Sequence, residues 1–108
     1  MSHPTSRLDD VVHQRARLGV LALLAPADDV DFGFLKESLG LTDGNLSRHL
    51  QVLEEAGYLE IKKSFEGKRP RTRVAITREG HRAFEEEMKT LRELVAGLGN
   101  GLGGKRRG

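Results

Sequence analysis

The sequence contains no cysteine, so it can form no disulfide, no thiolate metal site and no cysteine nucleophile. This absence fits a reducing compartment. No uninterrupted apolar run approaches the roughly 20 residues that a membrane-spanning helix requires. The first residues, Met1 to Pro4, lack the basic and then apolar pattern of a secretory signal. We therefore expect an intracellular, cytoplasmic protein.

Charge is distributed unevenly along the 108 residues, although the net charge is only +2. Residues 1–59 hold five basic and nine acidic residues, a net charge of −4, whereas residues 60–77 hold six basic and two acidic residues, a net charge of +4. Residues 78–108 hold seven basic and five acidic residues. The local basic segment suits a polyanionic partner. A solvated basic hairpin is the alternative interpretation.

Apolar periodicity and turn residues predict four helices and a β-hairpin. The length fits one compact domain, whose modest core would gain from burial against a partner subunit. We expect a frayed segment at residues 1–8 and a disordered, glycine-rich basic tail at residues 99–108. Between them the pattern predicts a helix 9–25, a very short strand 30–32, helices 33–39 and 42–56, strands 58–61 and 72–76 joined by a turn-rich connection 64–70, and a last helix 78–98.

The second and third helices are joined by only a few residues around Gly40, as a helix-turn-helix requires. In that motif the second helix of the pair enters the major groove of DNA. The chain is therefore predicted to be α+β and mainly helical. Residues 1–98 would form a winged helix-turn-helix DNA-binding domain with a two- or three-stranded wing sheet and a long C-terminal dimerisation helix, about 78–98.

The third helix has the two faces that a recognition helix needs. Leucines 46, 50 and 53 form an inward stripe, and polar residues lie on the opposite side. Arg48 can pair with guanine, Asn45 or Gln51 can pair with adenine, and hydroxyl groups suit phosphates. An ordinary amphipathic helix with a polar outer face is the alternative. The candidate DNA-binding residues here are Thr42, Gly44, Asn45, Ser47, Arg48 and Gln51.

The hairpin supplies a second candidate element, a basic wing. Four cations, Lys68, Arg69, Arg71 and Arg73, are predicted to lie at its tip, where they would contact phosphates or reach into the adjacent minor groove. Pro70 would stiffen the returning arm. Alternation places Arg71 and Arg73 on one face of the returning strand and its aliphatic residues on the other.

The last helix carries an apolar seam with steps of four, three, four and three residues, which is the a/d spacing of a coiled coil. The helix is long for so small a domain, so its far end is expected to overhang the core. We interpret the seam as an intersubunit interface, although it could instead pack back on its own domain. The predicted interface residues are Phe84, Met88, Leu91, Val95 and Leu98.

Two stretches carry a resemblance to a known group of regulators. The segment LGLTDGNLSRHLQVLEEAGYL at 39–59 resembles the helix-turn-helix core of ArsR- and MarR-type regulators. The segment GKRPRTRVAITREG at 67–80 is similar to the wing and the start of the final helix in a compact MarR-like group. The resemblance implies that Asn45, Ser47, Arg48 and Gln51 occupy recognition-helix positions and that Lys68, Arg69, Arg71 and Arg73 lie on the wing. Metal sensing of the ArsR type does not carry over without cysteine.

These features predict a sequence-specific double-stranded DNA-binding transcriptional regulator, a homodimeric repressor on a pseudo-palindromic operator. No pairing of a nucleophile with a base indicates an enzyme, and no cofactor is implied. The histidines form no close metal-ligand pair, and His49 is expected at the edge of the core. The alternative function is a winged-helix protein-interaction module that does not bind DNA. Whether a small-molecule effector exists is left open.

Overall fold

The computed structural model describes the backbone of residues 4–107 and the side chains of residues 14–99. This part of the chain confirms the predicted winged helix-turn-helix with a long C-terminal helix. No helix within it is long and apolar enough to cross a membrane. The elements follow one another as α1 (Pro4–Leu24), β1 (Val30–Asp31), α2 (Phe32–Leu39), α3 (Asp43–Glu55), β2 (Leu59–Glu66), β3 (Arg69–Ile76) and α4 (Arg78–Arg107).

The core lies where the first three helices meet the base of the hairpin. Leu24 of α1, Leu35 of α2, Leu46 and Leu50 of α3, and Val74 of β3 are all fully buried. Each comes from an apolar position that recurs at helical or strand spacing, so one face of every element is removed from water. Burial of these side chains is the main favourable term that holds α3 in place.

The turn between α2 and α3 is set by two local signals. Gly40 adopts a left-handed conformation with φ +64, and the Leu41 amide donates to the Lys36 carbonyl oxygen at 3.1 Å, a Schellman arrangement. Thr42 then caps α3, because its hydroxyl oxygen accepts a hydrogen bond from the Asn45 amide at 3.1 Å. Together the two caps keep the connection between the two helices to three residues, as the few residues predicted around Gly40 require.

The three strands form one antiparallel sheet in the order β1, β3, β2. The long pair, β2 and β3, remains in register until Glu66 lies opposite Arg69, which leaves Gly67 and Lys68 as a two-residue turn. Gly67 has φ +63, as the first position of a type II′ turn requires. The predicted connection 64–70 was therefore wrong. Its polar composition suggested a loop, but a ribbon with exposed side chains still satisfies its backbone groups by cross-strand hydrogen bonds.

The start of α4 docks on the corner between α3 and β2. The Thr77 hydroxyl donates to the Gly57 carbonyl oxygen at 2.6 Å and accepts from the Gly80 amide at 3.0 Å. The Thr77 amide donates to the Tyr58 carbonyl oxygen at 3.0 Å. A Cβ atom on Gly80 would lie 2.0 Å from that same oxygen. Only glycine permits this approach, which fixes the direction of α4 relative to α3 and the hairpin.

Both outer helices are longer than the sequence predicts. α1 begins at Pro4 rather than at residue 9, and proline is well tolerated in a first helical turn. α4 continues to Arg107, through most of the segment expected to be a disordered tail. Helix propagation adds one hydrogen bond for each residue fixed, so an established helix can continue through residues of low propensity. A domain boundary at residue 98 stays a prediction.

Candidate nucleic-acid interface

The outer face of α3 is polar and exposed. Leu46, His49, Leu50 and Leu53 are buried on the inward side, where His49 is 4% exposed beside the core leucines. Within residues 14–99, none of the outward side chains of Asn45, Ser47, Arg48 and Gln51 makes a hydrogen bond or an ion pair. All four are exposed, together with Gly44. The helix thus presents donors and acceptors to solvent along one side.

The beginning of α3 combines a cap with an ion pair. The Thr42 oxygen is occupied as the cap acceptor, so this hydroxyl has its proton left to offer a phosphate. Asp43 follows it, and its carboxylate lies 2.9 Å from the Lys36 ammonium group of α2. This pair offsets the one acidic charge in the first turn of the helix. A phosphate would otherwise meet unfavourable electrostatics at this position.

A cleft of about 550 Å³ separates α3 from the hairpin. Ser47 and Gln51 line it from the helix, and Lys63 and Thr72 line it from the sheet. Lys63 was counted among the basic residues but was not predicted as a site residue, because β2 was expected to end at residue 61. Its position two residues beyond Ile61 on the same strand face would have placed it toward α3. The helix side of the cleft thus combines polar Ser47 and Gln51 with the carboxylates of Asp43 and Glu54, and the wing side carries the Lys63 ammonium group.

Two of the four predicted wing cations form ion pairs with carboxylates. The Arg73 guanidinium donates to the Asp29 carboxylate at 2.5 Å and also contacts the Asp29 carbonyl oxygen at 3.4 Å. The Arg71 guanidinium lies 3.7 Å from the Asp31 carboxylate and 3.4 Å from that of Glu66. Both arginines sit along β3 at the outer face of the sheet, away from the tip. This arrangement differs from the predicted placement of all four cations on the hairpin tip.

The hairpin tip holds the remaining two predicted wing cations. Lys68 occupies the turn and Arg69 begins β3, and both side chains are exposed. In the part of the chain with described side chains, neither has an acidic partner. Lys63 likewise has no acidic partner among the described side chains. On the wing, the positive charge that remains available to an anionic partner therefore lies at the tip, at Lys63 on the inner face and at Lys62 on the outer face.

The apolar seam of α4 divides into two halves. Phe84 packs against the core of its own domain, and Met88 and Leu91 are partly buried. Beyond them, Val95 is 65% exposed and Leu98 is 60% exposed. Leu94, which the heptad pattern left out, is also 60% exposed and continues the stripe at helical spacing. The near half of the seam thus belongs to the monomer, and the far half has no cover from the described residues.

A second groove, of about 520 Å³, lies between α1, the end of α3 and α4. Its lining is mainly apolar and includes Leu18, Leu53, Tyr58 and Leu91. Leu91 belongs both to this groove and to the seam, so the groove adjoins the exposed far half of α4.

The sequence profile of the winged helix DNA-binding domain family matches residues 16–95. The chain therefore belongs to this family, and it is a DNA-binding transcriptional regulator rather than an enzyme. The match covers all of α2, α3, the hairpin and the packed half of α4.

Individual relatives agree with this assignment. The chain is 44% identical over 78 residues to an uncharacterized protein of Methanocaldococcus jannaschii, which covers 72% of this chain and 85% of the relative. It is 31% identical to a transcriptional regulator homologue of Pyrococcus horikoshii, with a TM-score of 0.71. That match covers 84% of this chain and 95% of the homologue. A MarR-family regulator from Silicibacter pomeroyi has the same fold, with 23% identity, a TM-score of 0.61 and coverage of 81% and 57%. The predicted winged-helix regulator is thus confirmed, the likeness to the MarR-family protein is one of fold, and the ArsR-like part of the resemblance stays a prediction.

Proposed function

We propose that the chain acts as a homodimeric repressor that binds a pseudo-palindromic operator, with α3 in the major groove and the wing beside it. The observation that carries this proposal is the outer face of α3, where Arg48, Asn45 and Gln51 are exposed. Their side chains make no hydrogen bond or ion pair within residues 14–99. These side chains match the donors and acceptors that guanine and adenine offer in the major groove. Lys63 and the tip cations would add sequence-independent affinity for phosphates.

Within the proposed interface the residues have different roles. Arg48, Asn45 and Gln51 would contact base edges, whereas Ser47 and the Thr42 hydroxyl would contact the backbone. Gly44 leaves space in which the backbone of α3 can approach the duplex. At the wing, Lys68 and Arg69 are the proposed phosphate contacts. Arg71 and Arg73 would support the wing rather than bind DNA, because each is paired with carboxylates.

Dimerisation is proposed from the far half of α4. Leu94, Val95 and Leu98 form an apolar stripe more than half exposed, and such a surface is favourable to bury against a second copy. A symmetric dimer would place two copies of α3 about one helical turn, ~34 Å, apart on the duplex. Repression is the simplest outcome, since a dimer on an operator excludes other proteins from it by occupancy alone.

The test begins by selecting fragments of genomic DNA that the protein binds and by comparing duplexes that hold the selected sequence with scrambled ones. Arg48→Ala is expected to weaken binding to the selected duplex by about tenfold to a hundredfold, because one bidentate base contact is lost. It should bind the scrambled duplex almost as the parent does. Arg82→Ala, which removes one exposed arginine from α4, is the matched control and should leave both affinities unchanged.

Two outcomes would contradict the proposal. If Arg48→Ala binds the selected duplex as tightly as the parent, α3 does not read the bases. If the parent itself binds mixed genomic DNA without salt dependence, or does not bind it, the chain is instead a protein-interaction module of the winged helix class.

A further inference from the structure

The wing carries an apolar pair where a purely electrostatic DNA contact would need none. Phe65 is 71% exposed, more than any other large hydrophobic residue whose exposure the structure describes. It lies directly opposite Pro70 in the hairpin register, one pair before the turn-flanking residues. Two apolar side chains are therefore neighbours at the end of a ribbon that is otherwise polar.

The Phe65–Pro70 pair lies on the face of the sheet that points toward α3. Side chains alternate along β2, so Phe65 shares a face with Ile61 and Lys63. Both of those residues line the cleft beside α3, as does Thr72, which shares the Pro70 face of β3. The apolar pair thus extends the cleft-facing surface outward, in the direction in which a duplex would lie.

Packing within the domain does not account for the pair. The sheet residues that pack in or against the core on this face end with Ile61 on β2 and Val74 on β3. Phe65 lies two residues beyond Lys63 on the same face and is not among the residues packed against this core. Its side chain therefore contributes little to the free energy of folding. A phenylalanine that gains almost nothing from burial in its own domain points to burial against a partner.

The surroundings of the pair identify the chemistry of that partner. Lys63 precedes it on the same face, and Lys68 and Arg69 flank it at the tip, all without acidic partners among the described side chains. The one carboxylate at the tip of the hairpin, Glu66, is paired with Arg71 at 3.4 Å. An apolar patch within unpaired cations fits a partner that presents carbon surface between negative charges. The minor groove of DNA has this character, with deoxyribose carbons lining a groove edged by phosphates, and apolar side chains can insert there.

We propose that Phe65, supported by Pro70, packs against the deoxyribose surface of the minor groove beside the α3 site. This inference rests on the proposed function, in which α3 binds the neighbouring major groove. The wing then makes two separable contributions to the free energy of DNA binding. The tip cations neutralise phosphates, and the Phe65 ring buries carbon surface. The first term depends on salt and the second does not.

The experiment measures affinity for the selected duplex at a series of salt concentrations. Phe65→Ala is expected to weaken binding about tenfold at every salt concentration, because roughly half of a phenylalanine burial is lost. The slope of log affinity against log salt should not change, since no phosphate contact is removed. Phe65→Leu should recover most of the loss. Phe34→Ala, which removes a half-exposed aromatic ring from α2, is the matched control and should bind like the parent.

Other results would overturn the inference. If Phe65→Ala binds as tightly as the parent while Arg48→Ala is weakened, the inference fails and the proposed function stands. If Arg48→Ala is also unaffected, the proposed function itself fails. A lowered salt slope in Phe65→Ala would mean that the ring only positions the tip cations. A change of oligomeric state in Phe65→Ala without DNA would assign the patch to a second copy of the chain. The melting temperature of each variant confirms that it is folded.

Discussion

At the scale of single residues, the direction of α4 depends on a position where even one added carbon atom would not fit. Gly80 is such a position, because the first turn of α4 passes so close to the Tyr58 carbonyl oxygen that no side chain fits. Thr77 joins the same corner with three hydrogen bonds. This corner connects the end of α3 to the beginning of α4, so it links the proposed DNA-reading helix to the proposed dimer helix.

Gly80→Ala is therefore expected to destabilise the fold. The added methyl group cannot be placed without moving α4, and such overpacking costs about 1–3 kcal/mol in the free energy of unfolding. Urea denaturation in the absence of DNA measures this. Gly44→Ala is the control, because a Cβ atom there meets nothing within 4 Å, and it should be neutral or stabilising by about 0.5–1 kcal/mol. Equal stability of Gly80→Ala and the parent would show that the α4 corner is not closely packed.

At the scale of elements, the wing separates structural from available cations. Arg73 and Asp29 are 44 residues apart in the chain, yet their side chains form the shortest ion pair among the described residues. The pair attaches the loop before β1 to the middle of β3. Arg69, by contrast, is exposed at the tip with no acidic partner within residues 14–99.

Arg69→Ala and Arg73→Ala should therefore have different consequences. Arg69→Ala is expected to weaken binding to all DNA sequences alike and to reduce the salt slope by about one phosphate contact. Arg73→Ala should keep the parental slope. It should lower the free energy of unfolding by less than about 1 kcal/mol, because the ion pair is partly exposed. Anisotropy titrations at several salt concentrations, together with thermal melts, distinguish the two. A reduced slope in Arg73→Ala would mean that this arginine leaves Asp29 to bind phosphate.

Local signals explain what the sequence could predict at this scale. The leucine stripe of α3 and the turn at Gly40 depend on residues within one or two helical turns, and both were located correctly. The strand lengths and the ion pairs of Arg71 and Arg73 were not predicted. They depend on cross-strand register and on carboxylates distant in the chain, which alternation alone does not specify. Phe65 was missed for the same reason, because it was placed in a loop rather than on a strand face.

At the scale of the whole molecule, α4 extends well beyond the packed domain. The molecule measures 65 × 35 × 24 Å along its principal axes, and the exposed stripe of Leu94, Val95 and Leu98 lies on the far half of this helix. A domain of this size buries a modest share of its surface, so a second copy on that stripe would add stability as well as symmetry.

Val95→Glu is expected to convert the dimer to a monomer, since it places a charge in the centre of the apolar stripe. The fold should be retained, because the parent side chain is largely exposed within one chain. Sedimentation measures the oligomeric state, and affinity for a two-half-site duplex should fall with it. Ala96→Glu adds the same charge on the opposite side of α4 and should remain dimeric. If Val95→Glu stays dimeric, the interface lies elsewhere.

The central claim, that the outer face of α3 meets the duplex, can be tested directly because the chain has no native cysteine. Ser47→Cys introduces one thiol on that face, and Ala56→Cys introduces one at the far end of the same helix, beside the α1–α4 groove. Thiol labelling is followed with and without saturating selected duplex, after confirming that both variants bind it. The account predicts that DNA strongly slows labelling at position 47 and leaves position 56 unchanged. Labelling at position 47 that proceeds equally fast on the bound protein would contradict it.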